Sequence, residues 1–366
     1  MKGIGAMKVM TILGTRPEII RLSLIMPKLD RWAGKHIIVH TGQNFTPSLS
    51  GRFFQELGLR APDYILQSGN QSLGGQLAAM FAGLEPLLLR EAPDKVLLLG
   101  DTNSALCAIL AERLGIPVIH MEAGNRCFDL EVPEEKNRRV IDAIASVNMP
   151  YTEHSRRNLL REGHPPSRIV VTGNPIYEVL THYEPQIAAS SILETLGLEP
   201  GRYFAATAHR TENVDRPERL LALINGLNGV AEAFGLRIVC SVHPRTRSRI
   251  DRIPGLAVHP LVEFHEPFGF FDFACLERHA RCVLTDSGTV QEECCIFHVP
   301  AVTMRRSTER PETVECGSNV VTGLSPERIV AGVRQMTGLP NDWLCPEGYL
   351  DPHVSAKVVK YVLGGI

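Results

Sequence analysis

The stretch KVLLLGDTNSALCAIL, Lys95–Leu110, runs from an apolar segment through a glycine, an aspartate and a threonine into residues with helical spacing. A short Leu- and Val-rich run that opens through glycine into a helix is the signature of a parallel strand buried on both faces and its crossover helix. The same grammar recurs at Lys8–Leu13, His36–His40 and Pro117–Met121. A second series follows at Ile169–Thr172, Tyr203–Thr207, Arg237–Val242, Cys282–Thr285 and Pro300–Thr303, with helix-length stretches between most of the runs. The expected fold class is α/β, with two Rossmann-like doubly wound domains. Length agrees, because 366 residues exceed the roughly 100–200 of a single domain. Glycine, asparagine and two prolines interrupt the pattern in VTGNPIYEVLTHYEPQ, Val171–Gln186, which places an N-terminal domain at 1–175 and a C-terminal one at 176–350.

Charge and cysteine usage narrow the class. Thirty-eight basic and forty acidic residues leave a net charge of −2, so no overall field favours nucleic acid or an anionic membrane surface. No apolar run reaches the ~18 residues of a membrane helix, and the start, MKGIGAMKVMTIL, has no signal-peptide pattern. Nine cysteines without a Cys-x-x-Cys pair fit reduced thiols in a cytoplasmic enzyme better than a disulfide framework or a zinc site.

In open α/β sheets ligands bind beyond the carboxyl ends of the strands, and polar residues follow one strand-like run after another. GTRPE, Gly14–Glu18, brings Arg16 and Pro17 to a helix start, with Arg21 further along. Free amides and a guanidinium there make a phosphate site; the same residues also read as an ordinary strand–helix turn, and a single glycine makes no dinucleotide fingerprint. Asp101 heads a helix and reads as either an N-cap or an acid facing a cleft. Glu122 ends the run IPVIHME without an evident capping task, and Glu134 opens the stretch PEEKNRR. Three carboxylates directed to one cleft have the composition of an acid/base site, while Glu134 alone also reads as the charged first turn of a helix. The second series supplies His209 with Arg210, His243 with Arg245, and Ser287-Gly288-Thr289 at a helix start. Amides and hydroxyls there suit a phosphate, and Glu292 and Glu293 suit sugar hydroxyls; a capping box is the competing reading of Ser287. The histidines follow different strands beside arginines and show no metal-ligand spacing.

GTRPE, GDT, MEAG, PEEKNR, AHRTEN, DSGTVQEE and TERPETVECGSN occur in the order and approximate spacing of the non-hydrolysing UDP-N-acetylglucosamine 2-epimerase family, from Lys8 to about Gly323. The chain resembles that family. The resemblance implies a glycosyltransferase-B arrangement with the nucleotide sugar between the domains, and a C-terminal helix, about Pro352–Leu363 within 351–366, that crosses back to the first domain. It implies interconversion of UDP-GlcNAc and UDP-ManNAc for cell-surface polysaccharide synthesis, by a homodimer that needs no cofactor or metal. Expulsion of UDP from C1 with removal of the C2 proton, then re-addition after protonation on the other face, explains why acids from several loops would converge. Carried across, Asp101, Glu122 and Glu134 resemble the acid/base carboxylates and His209 the histidine near the departing phosphate. Arg16, Ser287 and Gly288 resemble diphosphate ligands and Glu293 a ribose ligand; Arg21, His243, Arg245, Thr289 and Arg310 complete the implied substrate-binding set. Arg21 stands where relatives commonly have lysine, which keeps the charge but not the geometry.

Two departures bear on the substrate. TGQNF, Thr41–Phe45, replaces a Gln-His associated with activation by a second UDP-GlcNAc, and EAGNRCFDLEVPEE lacks a longer insertion of the common form. The second resembles sub-families acting on modified sugars, UDP-6-deoxy-L-hexosamines or UDP-diacetamido uronic acids. A glycosyltransferase of the same fold, a hydrolysing epimerase and a non-catalytic UDP-sugar sensor are the rival readings.

Overall fold

The leucine-rich run that opened the sequence reading forms a central strand. In the computed structural model, which describes residues 7–43, 50–68, 72–242, 244–253 and 255–364, the chain divides into two compact units. One comprises Met1–Arg126, Val132–Thr181 and Glu347–Ile366, the other Cys127–Glu131 and His182–Pro346. The chain thus leaves the first unit after Thr181 rather than at 175. The short piece Cys127–Glu131 groups with the second unit, where Glu131 accepts from Arg219 at 2.9 Å.

The first unit holds strands β1 (Lys8–Leu13), β2 (Lys35–His40), β3 (Tyr64–Ile65), β4 (Lys95–Leu99), β5 (Val118–Met121) and β6 (Val147–Met149). They form a parallel sheet in the order β3-β2-β1-β4-β5-β6. Val96, Leu97, Leu98, Val118 and Ile119 have essentially no exposed surface, as strands covered on both faces require. The second unit holds β7 (Tyr203–Ala208), β8 (Arg237–Val242), β9 (Val262–His265), β10 (Cys282–Thr285), β11 (Ala301–Thr303) and β12 (Asn319–Val321). Its order, β12-β11-β10-β7-β8-β9, repeats the winding of the first sheet read from the other edge. The expected α/β class with two doubly wound sheets is what the chain adopts.

One expected strand is absent. Ile169–Thr172 makes a single bridge, Ile169 to Asn148, and its amides at Val170 and Thr172 donate to Asn148 O and Pro150 O at 2.9 and 3.0 Å. It accompanies the edge strand β6 without completing a ladder, and the glycine and proline that follow (Gly173, Pro175) end it.

The C-terminal helix Val354–Gly364 buries Val354, Val358, Val359, Val362 and Leu363. It belongs to the first unit, tied by Lys95 Nζ donating to Val362 O at 2.8 Å and Lys28 Nζ to Ser355 Oγ at 2.6 Å. Among the described residues no helix is long and apolar enough to cross a membrane.

Candidate active site

In each unit the strand order reverses beside the first strand of its series, between β1 and β4 and between β7 and β10. Such switch points leave a crevice beyond the strand ends, and the residues singled out in the sequence emerge there.

In the first unit, β1 ends at Leu13 and Gly14 turns the chain into the helix Arg16–Leu22. Only glycine fits, since a Cβ at position 14 would lie 2.0 Å from Ser104 Oγ and 2.2 Å from Thr41 Oγ1. Glu18 closes the turn by accepting from the amides of Gly14 and Thr15 at 2.5 and 3.1 Å and from Thr102 Oγ1 at 2.6 Å. Burial pushes its carboxyl up to about 7 even though those donors pull the other way. The Thr102 contact fastens the β1 turn to the β4 turn, beside Asp101. Arg16, partly exposed, lies over the Phe53 ring at 5.5 Å, and burial lowers its pKa.

Leu99 and Met121 are register partners in neighbouring strands, so Asp101 and Glu122 leave the sheet side by side. Arg138 donates to Asp101 Oδ2 from Nε at 2.9 Å and Nη2 at 2.5 Å, and from Nη1 to the fully buried Glu135 at 2.8 Å. Glu135 is thus the structural acid of the PEE motif: it holds the arginine that orients Asp101. Glu134, its neighbour in the helix Pro133–Ile144, is partly exposed in the first turn of that helix. Glu122 accepts from Arg21 Nη1 at 2.7 Å and from the Tyr151 hydroxyl at 3.2 Å. Its φ is 67°, a left-handed conformation that non-glycine residues adopt at an energetic cost and that clusters at functional sites. Asp101 and Glu122 therefore stand together, each held by a largely buried arginine.

Beneath these turns lies a network with no counterpart in the sequence reading. His120 contacts Asp142 at 2.9 Å through Nδ1 and Gly100 O at 2.8 Å through Nε2, and Asp142 also accepts from Arg126 and the Gly124 amide at 2.7 and 3.1 Å. Burial presses the His120 pKa down, but the Asp142 partner outweighs it and the net shift is upward. A histidine in a strand beside an acidic strand end was the available signal. Its partner lies on a helix 22 positions away.

In the second unit, β7 ends at Ala208 and the amides of His209 and Arg210 donate to the fully buried Asp286 at 3.1 and 3.0 Å. The half-exposed His209 ring approaches the same carboxylate, 3.4 Å from Nδ1. Asp286, unassigned in the sequence reading, joins the two turns at this switch point. Ser287 is the N-cap of the helix Gly288–Phe297 but its side chain makes no capping bond; its hydroxyl pairs with Thr289 Oγ1 at 3.0 Å. The capping-box reading of Ser287 therefore fails. A Cβ at Gly288 would meet Glu309 Oε1 at 2.4 Å, so any other residue there would displace that carboxylate. Glu309 in turn accepts from Arg210 at 2.9 Å and Arg305 at 2.8 Å. Arg310 is buried and bound to Glu292, also buried. Glu293, the next residue of the same helix, meets the carboxyl of Glu277. His243 lies outside the described residues, as do the side chain of Arg245 and Asn44 and Phe45 of the TGQNF stretch. No cluster of His, Cys, Asp or Glu among the described residues is arranged to hold a metal ion.

The first unit thus presents carboxylates held by arginines, and the second a helix start with paired hydroxyls beside a histidine. Residues 28–363 match the family model described as UDP-N-acetylglucosamine 2-epimerase. The UDP-N-acetylglucosamine 2-epimerase of Methanocaldococcus jannaschii is 40% identical over 350 residues, which cover 93% of this chain and 95% of that protein. The UDP-2,3-diacetamido-2,3-dideoxy-D-glucuronate 2-epimerase of Pseudomonas aeruginosa is 37% identical over 336 residues, covering 91% and 93%. The crystal structure of the Methanocaldococcus jannaschii UDP-GlcNAc 2-epimerase in complex with UDP-GlcNAc and UDP superposes with a TM-score of 0.91 at 38% identity, covering 97% of this chain and 99% of that one. Matches of this extent, over motifs that the fold sets at strand ends, place the chain in the UDP-N-acetylglucosamine 2-epimerase family.

Proposed function

We propose that this protein is a non-hydrolysing epimerase that interconverts UDP-GlcNAc and UDP-ManNAc. The observation that carries the reading is Glu122, set at a strand end in a left-handed conformation, paired with Arg21 and adjacent to Asp101. The C2 proton of a 2-acetamido sugar is not beside a carbonyl, so it leaves together with the substituent at C1. The C1–O bond breaks and UDP takes the electron pair; a base takes the C2 proton and a C1=C2 double bond remains. Return of a proton to the opposite face of C2, with re-formation of the C1–O bond, gives the epimer.

Such a reaction needs proton carriers for both faces of the ring and stabilisation of the departing diphosphate. Glu122 and Asp101 serve as proton carriers, with Glu134 the third acid of the set. The arginine on each of the first two holds and orients it. The amides of the helix Gly288–Phe297, the hydroxyls of Ser287 and Thr289, and Arg16 receive the diphosphate, with His209 beside it. Glu293 accepts from ribose hydroxyls. Arg21 holds Glu122 in this reading, so its part is played through the acid. The nine cysteines, all free thiols, suit a cytoplasmic enzyme, and we read it as a homodimer serving cell-surface polysaccharide synthesis.

The 37% identity to the diacetamido-glucuronate epimerase supports a second reading on the same chemistry, with a modified UDP-hexosamine as substrate. NMR of the purified protein with each UDP-sugar in deuterated water tests both. One sugar should be epimerised with a single deuterium at C2. Release of free UDP without epimer, or label elsewhere on the ring, would sink the elimination mechanism.

A further inference from the structure

Glu277 has no exposed surface, and neither of its oxygens meets a hydrogen-bond donor. It lies on the helix Phe270–His279, which packs against the helix Gly288–Phe297. What its carboxyl touches is another carboxyl, that of Glu293. Its neighbour in sequence, Arg278, is engaged elsewhere, donating to both oxygens of Glu184 at 2.6 and 2.5 Å. The other titratable groups that sense Glu277 are the Cys294 thiol and the Tyr203 phenol, acids themselves, both pushed up first by burial. None of these groups is a cation.

Native proteins rarely leave a buried carboxyl without a donor. Two ionised carboxylates in contact repel even at the moderate effective dielectric of a protein surface, and a buried unpaired charge adds a further desolvation cost. The pair therefore keeps one proton. Burial, and after it the charge and contact of Glu293, hold the Glu277 carboxyl well above the usual carboxylate range. Glu277 is the fully sealed member, while Glu293 keeps some surface, so the proton resides on Glu277 and Glu293 carries the charge. A protonated acid is a donor, and its hydrogen bond to one oxygen of Glu293 fixes the orientation of that carboxylate.

We infer that Glu277 is a positioning residue whose hydrogen bond fixes the Glu293 carboxylate to accept the ribose hydroxyls of the nucleotide. The inference rests on the proposed role of Glu293 as the ribose ligand. It explains why a fold would retain a carboxyl where a methionine or leucine would be stable without a partner.

Calorimetric titration with UDP and with 2′,3′-dideoxyuridine diphosphate tests it, on wild type, Glu293→Gln, Glu277→Gln and Glu277→Met. Glutamine supplies an N–H donor in the same volume, so Glu277→Gln should bind UDP within about twofold of wild type at neutral pH. Methionine fills the space without a donor, and Glu277→Met should bind UDP about tenfold or more weakly, one lost hydrogen bond to a charged group. Its affinity for the dideoxy nucleotide should not change. On raising the pH, wild type should lose UDP affinity as the shared proton leaves and two charges face each other, whereas Glu277→Gln should lack that component. A packing role alone would weaken both nucleotides equally and leave the two pH profiles parallel, and either result overturns the inference. If Glu277→Met does not fold, the Glu277→Gln comparison alone decides. If wild type and Glu293→Gln fail to discriminate UDP from its dideoxy analogue, the ribose role of Glu293 is wrong and the inference falls with it. If wild type discriminates and Glu277→Met discriminates equally, only the role of Glu277 is wrong.

Discussion

Arg21 Nη1 lies 2.7 Å from Glu122 Oε2, with side-chain exposures of 2% and 10%, so the helix that follows β1 and the turn that follows β5 are joined by an ion pair nearly closed to water. The Tyr151 ring, 5.8 Å from the guanidinium, backs the pair and donates its hydroxyl to the same oxygen.

Removing the cation leaves Glu122 in a poorly solvated place with its charge uncompensated, which favours the neutral acid. Arg21→Met should therefore move the acid limb of the kcat profile to higher pH and cost roughly 3–5 kcal/mol of stability. Arg21→Lys keeps the charge with fewer donors, and its profile should lie close to that of wild type. Measured pH–rate curves that superimpose for all three would detach Arg21 from the chemistry.

Glu122→Gln keeps size and hydrogen bonding but cannot accept the C2 proton. Turnover should fall by roughly 10²–10⁴, the span for loss of general acid–base catalysis, while UDP affinity stays near that of wild type. Steady-state kinetics together with UDP titration separates the two effects, and a fully active variant returns Glu122 to a structural part.

Gly14→Ala places a methyl group on the Thr41–Ser104 hydroxyl pair, which are themselves 2.6 Å apart. Relief requires that pair to separate, so the variant should lose roughly 1–3 kcal/mol, the usual toll of overpacking. Thermal melting measures it; an unchanged Tm would show that the turn yields more easily than its contacts imply.

His40 is fully buried with Nδ1 accepting from the Gly42 amide at 3.0 Å, and burial lowers its pKa to about 4. The unfolded chain binds this proton near pH ~6.5, so native stability from a neutral His40 is present above that value and is lost as pH falls toward 4. The full effect is up to about 3 kcal/mol. Glu18, raised to about 7 by burial, acts in the opposite sense: its folded form holds a proton that the unfolded chain has released, so stability falls as pH rises through that region. Urea midpoints against pH for wild type and His40→Gln isolate the histidine, because Glu18 is common to both. The two curves should converge on acidification, and parallel curves would remove His40 from the acid sensitivity.

Central strands were legible in the sequence and edge strands were not. Lys8–Leu13, Lys95–Leu99, Arg237–Val242 and Cys282–Thr285 appear with their expected limits, because layers on both faces force an unbroken apolar run. The strands the sequence did not disclose, β3, β6, β9 and β12, are the four sheet edges. Edges are short, and all but β6 are partly solvated, so YI, VNM, VEFH and NVV carry little periodicity. Among the candidate site residues, those at strand ends stand out in sequence because a polar side chain after an apolar run has few other tasks; Asp286 has that position too, but its binding of the His209 and Arg210 amides appears only in the fold. Asp142 and Glu277 do not stand out, since their meaning lies in partners brought to them by the fold. Arg310 and Glu292 illustrate the converse: both look like ligand groups in sequence, and the structure places them in a buried pair with each other.

Because the two sheets share one winding, the loops after their strands had the same initial freedom to diverge, and the structure shows how unequal that freedom has become. At the start of the helix Gly288–Phe297 the space a side chain would need is already filled by Glu309, so that turn of the second unit has little room to change. The segment between β5 and the helix Pro133–Ile144 is different: it is a connection without regular strand or helix, and the exposed Phe128 and Leu130 lie within it. Insertions there would leave the sheet register untouched. Redesign of the unit that carries the acids can therefore proceed by lengthening and re-lettering that one connection while both sheets stay as they are.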